Sequence, residues 1–148
     1  MTGQILLVLG GARSGKSRYA QARAEAIADK RLFIATAQAF DDEMRDRIAR
    51  HRADRGPGWE TLEAPLDLAA TIAAHAAAGR VLLVDCLTLW TSNLMLADRD
   101  IPATTATLIA ALAQANGPVI LVSNEVGLGI VPDNALARRF RDAAGIVN

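Results

Sequence analysis

Eight consecutive residues near the start of the chain have the types and spacing needed to hold a chain of phosphates. They read GGARSGKS and match the pattern G-x-x-x-x-G-K-[ST]. Glycine lets the backbone turn tightly enough to point several N–H groups at an anion, lysine adds a positive charge, and the final hydroxyl can ligate Mg²⁺. The pattern predicts a nucleoside triphosphate site in which Ser17 is a magnesium ligand. The site is formed by Gly10, Gly11, Ala12, Arg13, Ser14, Gly15, Lys16 and Ser17.

The sequence on either side of this motif fits a strand and a helix. Residues 5–9 are a continuous apolar run, typical of a buried parallel strand. Residues 17–30 are alanine-rich and place Ala20, Ala24 and Ile27 on one helical face. A helix that begins at the loop directs its positive end at the phosphates. The alternative is a glycine turn that joins strand to helix without a ligand.

Apolar runs recur at residues 32–35, 81–84 and 119–122, separated by helical segments, and predict an α/β fold with a mainly parallel sheet covered by helices on both faces. Each run ends in polar residues, and ligands bind beyond the carboxyl ends of parallel strands. Asp85 is placed to hold Mg²⁺ directly or through water, although it could instead cap a helix. Glu125 could be a second acid or a structural residue and is left unassigned.

The remaining segments predict a single domain over residues 1–148, because no linker is long enough to divide it. A weaker extended stretch at 59–63 follows the breaker cluster at 55–58 and is expected to be an edge strand. Helices are expected at residues 17–30, 41–54, 65–78, 87–96, 103–115 and 134–146.

Composition limits the partners. Sixteen basic and 16 acidic residues give a net charge of zero, which argues against nucleic acid and favours a small molecule. The single cysteine, Cys86, cannot form an intrachain disulfide, and its apolar surroundings predict a buried, inert thiol. The sequence lacks a signal peptide and an 18-residue apolar stretch, so we expect a cytoplasmic protein without membrane insertion.

His51 is the candidate for covalent chemistry. It follows Met44 and Ile48 at helical spacing, so it shares the apolar face of its predicted helix. An imidazole near a triphosphate can act as a base, a hydrogen-bond donor or a nucleophile, and the residue pattern does not choose among them. A structural role is the alternative, as it is for His75 in its alanine-rich segment. A chemical role for His51 is favoured by the nearby cations Arg47, Arg50, Arg52 and Arg55.

Together these features resemble the bifunctional adenosylcobinamide kinase/adenosylcobinamide-phosphate guanylyltransferase family over nearly the whole chain. The matching segments are residues 10–17, 34–36 with 41–44 (DDEM), 47–48 with 51–52, 85–88 (DCLT) and 123–132 (SNEVGLGIVP). The resemblance implies a RecA-like P-loop NTPase fold. The family pattern continues past Asn148 into a last apolar strand, so a sheet without that C-terminal strand is expected here.

The resemblance also implies two reactions with Mg²⁺ as cofactor and GTP and ATP as substrates. A triphosphate phosphorylates the aminopropanol hydroxyl of adenosylcobinamide, and GTP then gives GMP to a histidine, which passes it to the phosphorylated cobinamide. His51 resembles the guanylylated histidine, and the family's nucleotide-binding and metal positions correspond to Ala35, Thr36, Ala37, Arg52, Ala53, Asp54, Arg55, Glu63 and Asp85. The resemblance further implies a homotrimer. A simple P-loop small-molecule kinase and a RecA-like ATPase module are the alternatives.

Overall fold

The computed structural model describes residues 4–10, 15–37, 42–56 and 58–124, with the side chains of residues 47, 51 and 124 left out. Residues 11–14 of the phosphate loop, Glu125 and the predicted helix at 134–146 lie outside the described residues. In chain order the elements are β1 Ile5–Gly10, α1 Lys16–Ile27, β2 Lys30–Ala35, α2 Asp42–Arg55, β3 Trp59–Glu63, α3 Leu68–His75, β4 Arg80–Asp85, α4 Leu87–Leu96, α5 Ile101–Gln114 and β5 Val119–Asn124.

The five strands form one parallel sheet in the order β1-β5-β4-β2-β3. The predicted α/β class is confirmed, and the weak stretch at Trp59–Glu63 is an edge strand as expected. Because all the strands run the same way, their carboxyl ends meet at one edge of the sheet. The residues that follow those ends are therefore brought together.

Two apolar cores hold helices against the two faces of the sheet. On one face α1 packs its alanines against β4 and β5, with Ala20 and Ala24 fully buried. On the other face α3, α4 and α5 bury a larger set around Trp90, whose indole Nε1 donates a 3.0 Å hydrogen bond to the carbonyl of Leu66. The buried Trp90 fixes α4, the helix that directly follows Asp85.

Three predictions about burial and helix length are wrong in detail. Ile27 is 38% exposed, because α1 ends there and the chain turns into β2 at Lys30. The alternating residues Ile5, Leu7 and Leu9 of β1 are 37–47% exposed, because β1 is at the edge of the described sheet and only its other face packs against α1. The third helix begins at residue 68 and ends at 75, shorter than the predicted 65–78.

Candidate functional site

Three residues predicted for the site lie side by side at the carboxyl edge of the sheet. The Cα register pairs Ala35 of β2 with Glu63 of β3 on one side and with Asp85 of β4 on the other. Neighbouring strands are about 4.8 Å apart, so the two acidic positions are separated by about 10 Å. All three residues line the same cleft. The small Ala35 forms the floor between the two acids.

The phosphate loop and Asp85 meet although 68 positions separate them in sequence. The hydroxyl of Ser17 donates a 3.3 Å hydrogen bond to Oδ2 of Asp85. Gly15 precedes α1 with φ +81°, a left-handed conformation that costs other residues about 1–2 kcal/mol. Lys16 is the first residue of α1 and is half-buried, and Gly10 ends β1. The two predicted magnesium ligands are therefore adjacent at the positive end of a helix.

The cleft has a volume of about 890 Å³, within the range of cavities that hold small ligands. Its polar lining comprises Ser17, Gln21, Arg52, Asp54, Arg55, Thr61, Glu63, Asp85, Ser92 and Asn93. Its apolar lining comprises Phe33, Ala35, Ala37, Met44, Ile48, Leu62, Leu89 and Leu96. The cleft thus combines charged groups beside the phosphate loop with an apolar wall contributed by α2 and α4.

Arg55 is held inside the cleft by an aromatic ring. Its Cζ atom lies 3.5 Å from the centroid of Phe33, and Nη2 donates a 3.1 Å hydrogen bond to the hydroxyl of Thr61. Its Nε is buried and has no hydrogen-bond partner among the described residues. Burial lowers the pKa of Arg55, the nearby Asp85 acts against that, and Arg52 adds to it. Arginine nevertheless remains charged in proteins, so the cleft contains a fixed cation.

The helix α2 carries the predicted nucleophile position. Acidic residues in its first turn and basic residues in its last turn complement the helix dipole, and Gly56, with φ +84°, follows its end. Three residues of α2 that line the cleft are spaced around position 51. Met44 is seven residues before it, Ile48 is three before it and Arg55 is four after it. At 3.6 residues per turn these positions share one helix face. The backbone at His51 therefore lies on the helix face that borders the cleft, and its side chain lies outside the described residues.

The five other predicted positions are placed differently from one another. Arg52 and Asp54 line the cleft, as does Ala37 beyond β2. Ala53 is exposed and is not among the lining residues. Thr36 is fully buried, and its hydroxyl accepts a 2.9 Å hydrogen bond from Cys86 N and donates one of 2.8 Å to Cys86 O. Thr36 thus contacts the backbone next to Asp85.

The Cys86 side chain has a structural role. Its Sγ accepts a 3.5 Å hydrogen bond from the N–H of Leu89 and caps α4. Burial raises the pKa of the Cys86 thiol. The N–H of Leu89 acts against this, Asp85 adds to it, and the N–H of Thr88 and Lys16 oppose it more weakly. The predicted burial of the thiol is confirmed.

Sequence reasoning missed several residues of the cleft. Phe33 could have been found, because it precedes Ala35 by two positions in a strand and so shares its face. Gln21 follows Ser17 by four positions in α1 and could have been found the same way. Thr61 precedes Glu63 by two positions in β3 and could have been found by the same argument as Phe33. Leu89 and Asn93 carry no comparable signal, because only the packing of α4 brings them to the cleft.

A parallel sheet with a phosphate-binding glycine motif between β1 and α1, and with an acid at the end of another strand of the same sheet, defines a P-loop nucleotide-binding protein of the α/β class. The family model described as cobinamide kinase / cobinamide phosphate guanyltransferase matches residues 6–148. The chain belongs to this family, as the resemblance of its motifs indicated.

Curated relatives agree with the family. A Pseudomonas aeruginosa protein named "Bifunctional adenosylcobalamin biosynthesis protein CobP" is 54% identical over 141 residues, which cover 94% of this chain and 82% of that protein. Proteins named "Bifunctional adenosylcobalamin biosynthesis protein CobU" from Salmonella typhimurium and Escherichia coli are 43% and 44% identical, each alignment covering 97% of this chain and 87% of the relative. These relatives are bifunctional enzymes of adenosylcobalamin biosynthesis.

A solved structure supports the fold alone. An ATP synthase subunit, NeqB from Nanoarchaeum equitans, superposes with a TM-score of 0.52 at 14% identity, covering 99% of this chain but only 44% of that one. The fold is therefore that of P-loop ATPases.

Two features are absent from the residues that the structure describes. In that part of the chain no helix is long and apolar enough to cross a membrane. The same residues hold no cluster of three or more His, Cys, Asp or Glu side chains able to bind a metal ion. A magnesium ion at Ser17 and Asp85 would need further oxygen ligands from phosphate and water, which is the coordination Mg²⁺ prefers.

Proposed function

We propose that this protein performs both reactions of its family, phosphorylating the aminopropanol hydroxyl of adenosylcobinamide and then transferring GMP from GTP to adenosylcobinamide phosphate through His51. The observation that carries the proposal is the single cleft bordered by the Ser17–Asp85 pair and by the helix face that includes position 51. Its three acids, two arginines and apolar wall suit a triphosphate and a large amphipathic acceptor.

In the kinase reaction the backbone of residues 10–17 and Lys16 would hold the phosphates of ATP or GTP. Ser17 and Asp85 fit a magnesium ion, which when bound neutralises phosphate oxygens. The substrate hydroxyl attacks the γ-phosphorus and loses its proton to solvent, the new O–P bond forms, and the bond to the departing nucleoside diphosphate breaks. Catalysis of this kind depends on alignment and on charge neutralisation.

In the guanylyltransferase reaction the neutral imidazole of His51 would attack the α-phosphorus of GTP, forming a P–N bond as pyrophosphate leaves. A phosphate oxygen of adenosylcobinamide phosphate then attacks the same phosphorus, and the P–N bond breaks. Arg52 and Arg55 line the cleft and supply positive charge for the oxygens of the transferred group.

The acceptor needs a surface of its own within the cleft. Leu89 and Leu96 of α4 are 45% and 72% exposed and line the same cleft as Met44 and Ile48 of α2. An apolar wall next to the charged groups suits the hydrocarbon framework of a corrinoid ring, whose side arm could then reach the phosphates. We therefore assign this wall to the acceptor.

Covalent labelling tests the proposal. The protein is incubated with Mg²⁺ and GTP carrying ³²P at the α-phosphate, and acid-labile, base-stable label is expected on the wild type and on His75→Ala but not on His51→Ala. His75 is the matched control because it is the other histidine of the chain and does not line the cleft. Absence of label from folded wild type would contradict the guanylyltransferase half. Transfer of γ-phosphate to adenosylcobinamide without any label would indicate a simple kinase.

A single domain, a homotrimer and a cytoplasmic location remain predictions.

A further inference from the structure

Asn93 is a buried amide that bonds to the backbone just beyond two strand ends, those of β2 and β3. It is 8% exposed, and its Nδ2 donates hydrogen bonds of 2.7 Å to the carbonyl of Thr36 and 2.9 Å to the carbonyl of Pro65. Both partners are carbonyl oxygens, which only accept, so the amide must present its nitrogen to them. We propose that Asn93 is a positioning residue that fixes the backbone at Asp85 and aligns the end of β3 with it, a role that rests on the proposed function.

The first connection runs through Thr36 to Asp85. The amide of Thr36 donates a 3.2 Å hydrogen bond to the carbonyl of Asp85, and its hydroxyl bonds to both the N–H and the carbonyl of Cys86. Thr36 therefore holds the backbone on both sides of the peptide that joins Asp85 to Cys86. Asn93 holds Thr36 in turn by its remaining backbone group, the carbonyl.

The second connection runs to β3. Pro65 follows Glu63 by two residues, and the intervening Ala64 donates a 2.8 Å hydrogen bond from its N–H to the carbonyl of Ala35. That bond continues the pairing of β2 with β3. At the next residue, Pro65, the backbone carbonyl accepts its hydrogen bond from Asn93 instead. One side chain on α4 thus joins the ends of β2 and β3 to the helix that begins two residues after Asp85.

This placement differs from ordinary helix packing. The paired register of the site ends at Glu63, Ala35 and Asp85, so the backbone beyond these residues needs other partners to keep its position. An apolar side chain at position 93 could fill the volume but would leave two carbonyl oxygens without their donor. The amide therefore serves the alignment of Asp85 with Ser17 and with the nucleotide, in addition to stability.

The test is calorimetric binding of GTP across a series of Mg²⁺ concentrations. Residues that orient metal ligands cost roughly 10- to 100-fold in metal affinity or activity when removed, so Asn93→Ala should raise the Mg²⁺ concentration for half-maximal GTP binding by about 10-fold or more. The rate of GMP labelling should fall by a similar factor. A matched control is Thr91→Val, which removes a buried 2.8 Å hydrogen bond from Thr91 Oγ1 to the carbonyl of Leu87 in the same helix. It should lower the melting temperature without changing the Mg²⁺ dependence.

Wild-type Mg²⁺ dependence in folded Asn93→Ala would overturn the inference, and so would an equal shift in Thr91→Val. If the alanine variant does not fold, Asn93→Gln keeps the amide but moves it by one methylene, and unchanged Mg²⁺ dependence in that variant would overturn the inference. Wild-type protein that binds no GTP at any Mg²⁺ concentration would instead overturn the proposed function, and this inference with it.

Discussion

At the scale of single residues, Arg55 keeps its charge available inside the cleft. Its guanidinium stacks on Phe33 and donates a hydrogen bond to the neutral hydroxyl of Thr61. Arg45, on the same helix, instead forms an exposed 3.4 Å ion pair with Asp42. An exposed pair of this kind contributes little to stability. A stacked cation with a buried, unpartnered Nε is suited to an anionic ligand.

Arg55→Lys should weaken GTP binding by about tenfold, or about 1.4 kcal/mol, although the charge is kept. An ammonium group cannot stack on Phe33 while bonding to Thr61, so the cation loses its fixed position. Isothermal titration with GTP measures the effect, and Arg45→Lys on the same helix should bind as the wild type does. Equal affinity in both variants would show that stacking has no role.

The thiol of Cys86 should react slowly. Because burial raises its pKa, folding favours the protonated form, and the stability this gives is present at neutral pH and lost as the pH rises through the raised value. At pH 8 we expect iodoacetamide to alkylate the folded protein at least about tenfold more slowly than the chain unfolded in guanidinium. Mass spectrometry gives the rate without ambiguity, because the chain has one cysteine. Equal alkylation rates in the folded and unfolded chains would contradict the conclusion that the thiol is buried and caps α4.

At the scale of elements, α4 has two faces with different roles. Trp90 and Leu94 are fully buried against the sheet, whereas Leu89 and Leu96 are exposed along the cleft. An exposed leucine alone needs no explanation, but two that line the same cavity do. We attribute them to the acceptor.

The double variant Leu89→Ser/Leu96→Ser should raise the KM for adenosylcobinamide by about tenfold or more, since two leucines each contribute about 1.5–3 kcal/mol when fully buried by a ligand. GTP labelling should remain unchanged, because neither leucine side chain has a charge or a hydrogen-bonding group for the phosphates. Ile109→Ser is the control, since Ile109 is 60% exposed on α5 and does not line the cleft. An unchanged KM in steady-state kinetics would show that the acceptor does not bind to this wall.

At the scale of the whole molecule, a nucleotide in the cleft would contact elements distant in sequence. The cleft is lined by α1, β2, α2, β3 and α4 and by Asp85 at the end of β4. A ligand that joins these elements binds the folded state only, and binding then stabilises the fold by mass action.

With Mg²⁺ and GTP at 100 times its Kd, the melting temperature should rise by about 5–11 °C, from about 2.7 kcal/mol of linkage in a chain of this size. Differential scanning fluorimetry gives the shift, and Lys16→Ala should lose most of it. A shift that persists in this variant would place the nucleotide elsewhere.

The sequence determined the local elements and their chemistry. The glycine motif, the apolar runs and the breaker cluster before Trp59 predicted the phosphate loop, the α/β class and an edge strand, because these follow from short-range periodicity and backbone preference. The period of α2 also predicted that Met44 and Ile48 face inward together. The exposed residues of β1 were mispredicted, because an apolar run does not reveal which of its faces is covered.

Only the tertiary structure decided which strands are neighbours. Ser17 reaches Asp85 across 68 residues, Thr36 reaches Cys86 across 50, and Asn93 reaches Thr36 across 57. These contacts depend on the order β1-β5-β4-β2-β3, which no local pattern encodes, since the free energy of pairing distant strands comes from shared cores. The stacking of Arg55 on Phe33 and the amide of Asn93 became visible for the same reason.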